Sequence, residues 1–239
     1  MKLPRYLKHI NDSIAYLSEW GLDGFSGQVS KINLNSMQIE KHISTDIGPE
    51  HLLQNGNDLL VSHYGGYGNN NKISIIDLNT DSLREEIIVG DKPLQLQKDV
   101  NGNIWLICSG NNVYTNYPDI DSAASTPAKL IQLDPIDYHI ISELVIGLNK
   151  SASHLCYDAV NEYFYFKASD GIYRYQHNTN ESTKILAGQF YGLSLTMDGR
   201  LAVMSNNGLS PSMVRIYDPT LNLIDTIQAS YFASQLIDQ

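Results

Sequence analysis

The sequence predicts an all-β protein, a β-propeller with about five recognisable four-stranded blades. Three observations predict this fold. Parts of the stretch Leu59–Leu96 recur along the chain, short strand-like runs alternate with turn residues, and helical periodicity is almost absent. Four short strands per unit of about 40 to 45 residues is the pattern of a propeller blade. The five copies form either a complete ring or a segment of a six- or seven-bladed ring.

The recurrence is clearest between the first two copies. Residues 29–49 align with residues 73–93 without a gap, and six positions are identical. Longer shifts bring Asp77 onto Asp134 and onto Asp218, while the copy at Gly171–Gly188 is weaker. The whole chain is therefore predicted to be one propeller domain, with repeats at residues 1–47, 48–91, 92–148, 149–188 and 189–230 and the start of a further blade at 231–239.

Each repeat has the same internal order. A first run leads into a tight turn rich in Asn and Gly, which tolerate the positive φ angles of such turns. The second run is the most apolar, and a variable loop, a third run, an Asp/Asn turn and a fourth run follow. The predicted second strands are Ile14–Ser18, Leu59–Ser62, Ile104–Cys108, Tyr163–Phe166 and Leu201–Met204.

The two ends of the chain leave two arrangements open. Residues 3–8 resemble a first strand, and Tyr231–Asp238 falls where the first strand of a sixth copy would lie. We expect a segment of a larger ring. In the alternative, residues 3–8 are not a strand and the C-terminal run pairs with Ile14–Ser18 to close a five-bladed ring.

Composition excludes several classes of partner. The 239 residues carry 26 acidic and 16 basic side chains, a formal charge of -10, which repels nucleic acid and anionic membranes. No apolar run approaches the roughly 18 residues of a membrane span. Met1–Asn11 lacks the apolar middle of a secretory signal, so either the protein is made without one or its native beginning is missing. Cys108 and Cys156 are expected to be free thiols, and no cofactor is expected.

Residues 61–93 carry a resemblance to a known repeat. They read VSHYGGYGNNNKISIIDLNTDSLREEIIVGDKP, which resembles the YVTN-type repeat, with His63 where that repeat has Asn. The chain is also similar to cell-surface propeller proteins of gut Bacteroidota that carry a domain of unknown function and usually have seven blades. Some of those sit on TonB-dependent transporters and capture cobalamin. The resemblance implies a cell-surface or periplasmic location, a corrinoid ligand and a partner such as an outer-membrane transporter.

The candidate ligand-binding residues lie in connections that emerge on one face of a propeller, those between second and third strands and those between blades. Rigid aromatic rings supply contact area at low entropic cost, and amides adapt by hydrogen bonding. Gly110–Pro127, the longest of these connections, is a candidate lip over the ligand. The candidates are Trp20, Phe25, Glu50, His63, Tyr64, Tyr67, Tyr114, Tyr117, His154, Tyr191, Asn206 and Asn207. In the alternative interpretation, the tyrosines are ordinary blade-packing residues, and the short turns of the opposite face are structural.

Three functions fit this pattern. The first is a non-catalytic surface protein that binds a large polar ligand, in its most specific form a corrinoid. The second is a metal-dependent enzyme, either a lactonase-like hydrolase or a lyase. Its candidate residues would be one of Glu19 and Glu50, one of Asn206 and Asn207, and Asp170. The third is a scaffold for another protein. No GxSxG, HExxH or phosphate-binding Gly-Lys-Ser motif is present, so no catalytic residue or metal ligand is predicted.

Overall fold

The computed structural model describes residues 2–206 and 208–236. These residues form five four-stranded antiparallel sheets and contain no α-helix, which confirms the predicted all-β propeller architecture. Each sheet is one blade, and each lies within one of the predicted repeats. Because a simple antiparallel meander needs only short connections, every blade has its strands in chain order.

The strand bounds define the five blades. Blade 1 contains β1 (Pro4–Asn11), β2 (Ile14–Glu19), β3 (Gly27–Asn33) and β4 (Gln38–Thr45), and blade 2 contains β5 (Pro49–Asn55), β6 (Asp58–His63), β7 (Lys72–Asp77) and β8 (Ser82–Ile88). The first half of blade 3 is β9 (Pro93–Lys98) and β10 (Ile104–Cys108). A two-stranded hairpin, β11 (Tyr114–Asn116) and β12 (Asp119–Ile120), precedes its second half, β13 (Ala128–Leu133) and β14 (Ile140–Gly147).

The last two blades follow the same order. Blade 4 contains β15 (Ser153–Asp158), β16 (Tyr163–Ala168), β17 (Gly171–Gln176) and β18 (Glu181–Ala187), with a 3-10 turn at His177–Thr179. Blade 5 contains β19 (Gly192–Leu195), β20 (Leu201–Ser205), β21 (Met213–Tyr217) and β22 (Leu223–Gln228).

The core lies between neighbouring blades. On β6, Leu59 and Val61 pack in the cluster shared with blade 1, while Leu60 packs in the cluster shared with blade 3. All three are fully buried because successive side chains of a strand point to opposite faces and both faces are covered. This explains why the second run of each repeat is continuously apolar. Cys108 is buried between blades 2 and 3, Cys156 is half-buried, and both are free thiols.

Polar contacts also join the blades near the turns. The Tyr138 hydroxyl of blade 3 donates to Asp58 Oδ2 of blade 2 at 2.6 Å, and Asn55 Nδ2 donates to the Pro135 carbonyl at 2.7 Å. Arg84 of blade 2 donates to both oxygens of Asp58. Tyr16 of blade 1 makes the corresponding contact to Asp81 of blade 2. The first two interfaces therefore each have a tyrosine–aspartate hydrogen bond at their edge.

We expect Tyr138→Phe to lower the free energy of unfolding by about 1 kcal/mol, because it removes the hydroxyl's bond to Asp58 and the bond it accepts from Asn55. Asp58 keeps its ion pair with Arg84, and Asn55 keeps its bond to the Pro135 carbonyl. Urea unfolding followed by fluorescence measures this change. Tyr117→Phe is the matched control, since the Tyr117 ring is 85% exposed, and it should leave stability unchanged. Equal stability of both variants would contradict a role for the Tyr138 hydroxyl.

The ends of the chain exclude the five-bladed closure described above. Strand β1 pairs with one edge of β2, and β3 pairs with the other, so neither edge of β2 is available to the C-terminal run. The prediction of a strand beginning at Tyr231 is wrong for the residues described, since 231–236 form a turn and an irregular segment. That segment still packs on blade 5, where Leu236 N donates to Ser194 Oγ and Ala233 N donates to Ser212 Oγ. The rest of that predicted run, 237–239, lies outside the described residues.

No helix long and apolar enough to cross a membrane is found in residues 2–206 and 208–236.

Candidate functional site

The meander of each blade brings two kinds of connection to one edge of the sheets. Connections between second and third strands emerge beside those that lead from one blade to the next, because alternate strands run in opposite directions. We call this surface the loop face. It includes residues 20–26, 64–71 and 109–127 of the first three blades, as the sequence predicted.

Four predicted residues of the loop face form one cluster, which we call the aromatic platform: Trp20, Phe25, Tyr64 and Tyr67. The rings of Trp20 and Tyr64 are parallel, with centroids 6.1 Å apart. The Tyr67 ring stands nearly perpendicular to Trp20 at 5.9 Å and also contacts Phe25 at 6.1 Å. Phe25 and Tyr67 are 56% and 67% exposed, whereas Trp20 and Tyr64 are half-buried. The platform therefore presents two rings to solvent.

Charged groups surround this platform. The Arg5 guanidinium lies 4.2 Å from the centre of the Trp20 ring and forms two hydrogen bonds to Glu50, at 3.0 and 2.9 Å. These bonds raise the pKa of Arg5, while burial raises the pKa of the Tyr64 phenol. Lys92 Nζ lies 5.4 Å from the centre of the Tyr64 ring. The predicted residue Glu50 is thus part of the site, as the partner that orients Arg5.

Glycines allow the loop that carries Tyr64 and Tyr67 to approach its neighbours closely. Gly48, between blades 1 and 2, has φ of +66°, and a Cβ atom there would lie 1.9 Å from the Gly66 nitrogen. Tyr67 N donates to the Gly24 carbonyl at 3.1 Å, which ties the two aromatic loops together. The Trp20 Nε1 atom is buried and has no hydrogen-bond partner among the residues that the structure describes. Such orphan donors are uncommon and cost free energy.

The other predicted aromatic residues form separate groups on the loop face. Tyr114 and Tyr117 lie on the β11–β12 hairpin, with rings 5.4 Å apart and 43% and 85% exposed. Tyr191 contacts Phe232 at 5.9 Å. Within residues 2–206 and 208–236, no ring contact joins these pairs to the aromatic platform. The predicted lip therefore presents its own aromatic pair.

One predicted residue lies inside the protein rather than on this surface. His63 is fully buried, with Nε2 2.7 Å from Ser74 Oγ and Nδ1 3.3 Å from the Ile47 carbonyl. It supports the loop that carries Tyr64, because it fills the space between blades 1 and 2. Asn206 is half-buried and donates to Ser212 Oγ at 3.1 Å. Asn207 lies outside the described residues.

The structure also contains a central cavity of about 530 Å³ that sequence analysis did not identify. His154 lies in this cavity, together with Tyr6, His51, Gln95 and Gln97. The lining continues to Val160 and Met197, in turns of the face opposite the loop face, which were predicted to be structural only. The signal in the sequence was a polar residue two positions after the proline that begins a first strand, His51 after Pro49 and Gln95 after Pro93.

Burial lowers the pKa of both histidines in the cavity. It lowers the pKa of His51 to about 3 and that of His154 to about 4, so both rings are neutral at physiological pH. His51 Nδ1 accepts a hydrogen bond from Leu96 N at 3.3 Å. In a neutral imidazole the other nitrogen then carries the hydrogen, so His51 Nε2 is a donor.

The carboxylates considered for a hydrolase lie on different blades and have partners of their own. Glu19 accepts hydrogen bonds from Lys2 N and Gln28, Glu50 pairs with Arg5, and Asp170 pairs with Lys150 and Lys184. In the described part of the chain, the one group with metal-ligand spacing is Asp134, Asp137 and His139. It lies in the turn between β13 and β14, where Asp134 already accepts the backbone N–H of Ile136.

No family model and no curated protein matches the sequence. The fold is nevertheless shared with solved structures. A candidate 6-phosphogluconolactonase from Bacteroides fragilis superposes with a TM-score of 0.68 at 13% identity, over 99% of this chain and 74% of that one. A second, from Bacteroides uniformis, gives 0.67 at 14% identity, over 95% and 72%.

An extracellular protein also shares the fold. The extracellular domain of a candidate one-component system from B. thetaiotaomicron gives a TM-score of 0.65 at 13% identity, over 92% of this chain. Our chain spans only 27% of that protein. At these identities the likeness shows the fold alone. The chain is thus a β-propeller whose loop face carries exposed aromatic groups, and YVTN-type repeats and cobalamin capture stay predictions.

Proposed function

We propose that this protein acts by binding rather than by catalysis, and that it captures a large polar ligand on its loop face. The observation that carries the proposal is the aromatic platform, with the Arg5–Glu50 pair beside it. Exposed rings supply apolar contact, the guanidinium and the carboxylate supply directed hydrogen bonds, and Tyr117 on the hairpin adds a second contact. A cell-surface or periplasmic location is consistent with the fold that this chain shares with the extracellular domain from B. thetaiotaomicron.

A corrinoid is the specific ligand that we propose to test first. It combines a broad ring system with many amide groups, and exposed aromatic rings with adaptable polar neighbours suit such a ligand. The loop face offers an open surface, whereas the central cavity, at about 530 Å³, is within the range of about 300–1,000 Å³ that fits smaller, drug-sized molecules. A transporter in the outer membrane would be the partner that receives the ligand.

Trp20→Ala and Tyr67→Ala should each weaken cyanocobalamin binding at least tenfold, because aromatic anchors at the centre of a binding surface carry about 2 kcal/mol or more. Isothermal titration calorimetry measures the affinity, and gel filtration shows whether the red ligand elutes with the protein. Ile136→Ala is the matched control, since Ile136 is 86% exposed in a turn of the opposite face.

The outcome that would refute corrinoid capture is a well-folded wild-type protein that shows no heat of binding and no co-elution. Equal affinity of Trp20→Ala, Tyr67→Ala and Ile136→Ala for cyanocobalamin would instead place its binding away from the aromatic platform. Either result would leave the fold assignment unaffected.

A further inference from the structure

Polar side chains bridge neighbouring first strands around the central cavity. His51 Nδ1 on β5 accepts a hydrogen bond from Leu96 N on β9 at 3.3 Å. Gln95 Oε1 on β9 accepts one from His154 N on β15 at 2.9 Å, and Gln97 Nε2 donates to a backbone carbonyl of β15 at 3.3 Å. Each bridge fixes the orientation of a side chain, because the backbone of the next blade holds one end of it.

The other end of each bridging side chain is unpaired. The Gln95 oxygen accepts a backbone N–H, so the two N–H donors of its amide remain, while Gln97 keeps its oxygen as an acceptor and His51 keeps Nε2–H as a donor. These atoms have no hydrogen-bond partner among residues 2–206 and 208–236, where Trp20 Nε1 is the one fully buried side-chain nitrogen or oxygen without a partner. The unpaired ends are therefore accessible from the cavity that these residues line.

The lining carries no free charge. Among the residues that the structure describes, it contains no Lys or Arg, and the lowered pKa values of His51 and His154 keep both rings neutral. Its one acidic residue, Asp158, is 2% exposed and already accepts hydrogen bonds from Val160 N, Asn161 N and Asn161 Nδ2. A charged ligand would lose hydration without gaining a counter-ion, so the cavity suits an uncharged ligand.

Apolar surface lies between these polar groups. The rings of Tyr6 and His51 pack with centroids 4.1 Å apart, and leucines of β15 and β19 also line the cavity. A wholly apolar ligand would leave the donors and the acceptor unpaired, which costs free energy. A sugar or polyol has apolar C–H groups and hydroxyls that both donate and accept, so it can pair with Gln95 and Gln97 at once.

We propose that the central cavity binds a neutral sugar or polyol, with His51 Nε2 and the Gln95 amide as donors and Gln97 Oε1 as an acceptor. The volume of about 530 Å³ lies within the range of about 300–1,000 Å³ that is typical of small-molecule sites. The bridges orient all three side chains before the ligand arrives, which reduces the entropic cost of binding. This site is separate from the aromatic platform and goes beyond the function proposed for it.

Isothermal titration calorimetry of the full chain tests the site, with glucose, galactose and mannose as the probes. We expect saturable binding of at least one hexose. The 6-phosphate of the same hexose should bind at least tenfold more weakly, because no cation of the described lining can pair with the phosphate. This comparison needs only the wild-type protein.

Glutamine variants locate the binding. Gln95→Met and Gln97→Met should each weaken the affinity for that hexose at least tenfold, since methionine keeps the length of the side chain but has no amide. Gln54→Met is the matched control. The Gln54 amide also donates to a backbone carbonyl, that of Gly56 at 3.2 Å, but Gln54 does not line the cavity. Its variant should bind like the wild type.

Thermal unfolding separates loss of the site from loss of the fold. Without sugar, Gln97→Met and Gln54→Met should both unfold at a lower temperature than the wild type, because each loses a hydrogen bond to the backbone. Added hexose should raise the unfolding temperature of the wild type and Gln54→Met only. Trp20→Ala should keep the hexose affinity, which distinguishes this site from the aromatic platform.

Three results would each overturn the proposal. The first is the absence of saturable binding for all three hexoses. The second is a 6-phosphate that binds as tightly as its parent hexose or more tightly. The third is equal hexose affinity in Gln95→Met, Gln97→Met and Gln54→Met.

Discussion

Replacement of Gly48 by alanine is expected to lower the free energy of unfolding by about 2–4 kcal/mol. Two effects add. The residue has φ of +66°, where a side chain is strained, and its Cβ would lie 1.9 Å from the Gly66 nitrogen and 2.4 Å from two backbone atoms of Gly65. Backbone atoms cannot turn away as a flexible side chain can, so the connection that contains Gly48 and the loop that carries Tyr67 must separate.

Gly56→Ala is the matched control for this strain. Gly56 has φ of +60°, but nothing lies within 4 Å of the position that a Cβ atom would take. It should therefore cost only the conformational strain, about 1 kcal/mol. Urea unfolding gives both values, and tryptophan fluorescence reports the environment of Trp20. Equal losses of unfolding free energy in the two variants would show that the close approach of the loops adds nothing to the cost of Gly48→Ala.

Acidification from pH 7 to pH 5 is expected to cost about 2 kcal/mol of stability through His63 alone. Burial lowers the pKa of His63 to about 4 in the folded protein, against about 6.5 in the unfolded chain, although the nearby Asp46 carboxylate opposes the shift. The unfolded state therefore binds more protons in this range. The stabilisation is complete above about pH 6.5 and is lost progressively as the pH falls toward 4.

The slope of unfolding free energy against pH, from urea unfolding at intervals between pH 4 and pH 7.5, measures this contribution. His63→Gln keeps a polar side chain but removes the titrating ring, so its slope should be shallower than that of the wild type. His9→Gln is the control, because His9 is exposed on β1, and its slope should match the wild type. An unchanged slope in His63→Gln would show that protonation of this residue does not drive the loss. Burial also lowers the pKa of His51 and of His154, so these two residues should reduce stability on acidification as well.

Much of the architecture was predictable because it is encoded locally. The gapless alignment of residues 29–49 with 73–93, the Asn-Gly turns and the continuously apolar second runs reflect backbone geometry and burial, which each repeat specifies for itself. Trp20, Tyr64 and Tyr67 could likewise be assigned to one face, because strand order alone decides at which edge a connection emerges. The Gly65-Gly66 dipeptide could also be assigned to a loop from the sequence.

The arrangement of side chains between repeats could not be predicted in the same way. His63 reads as a surface residue beside Tyr64, yet the alternation of β6 turns it into the interface with blade 1. His154 was assigned to the loop face, but the approach of the first strands around the channel places it in the central cavity. Residues 231–236 of the C-terminal run have a strand-like sequence but form no strand, because strand formation needs a partner and both edges of β2 are occupied.

The amino-acid sequence by itself determined the repeat, the four-stranded blade and the face that carries the aromatic loops, since these depend on periodicity and turn chemistry within about 45 residues. The tertiary structure alone decided which rings meet, that Arg5 lies over Trp20, and that His51 and His154 line one cavity. Those contacts join residues that are distant in the chain, and their distances depend on how successive blades pack around the channel, which no local pattern specifies.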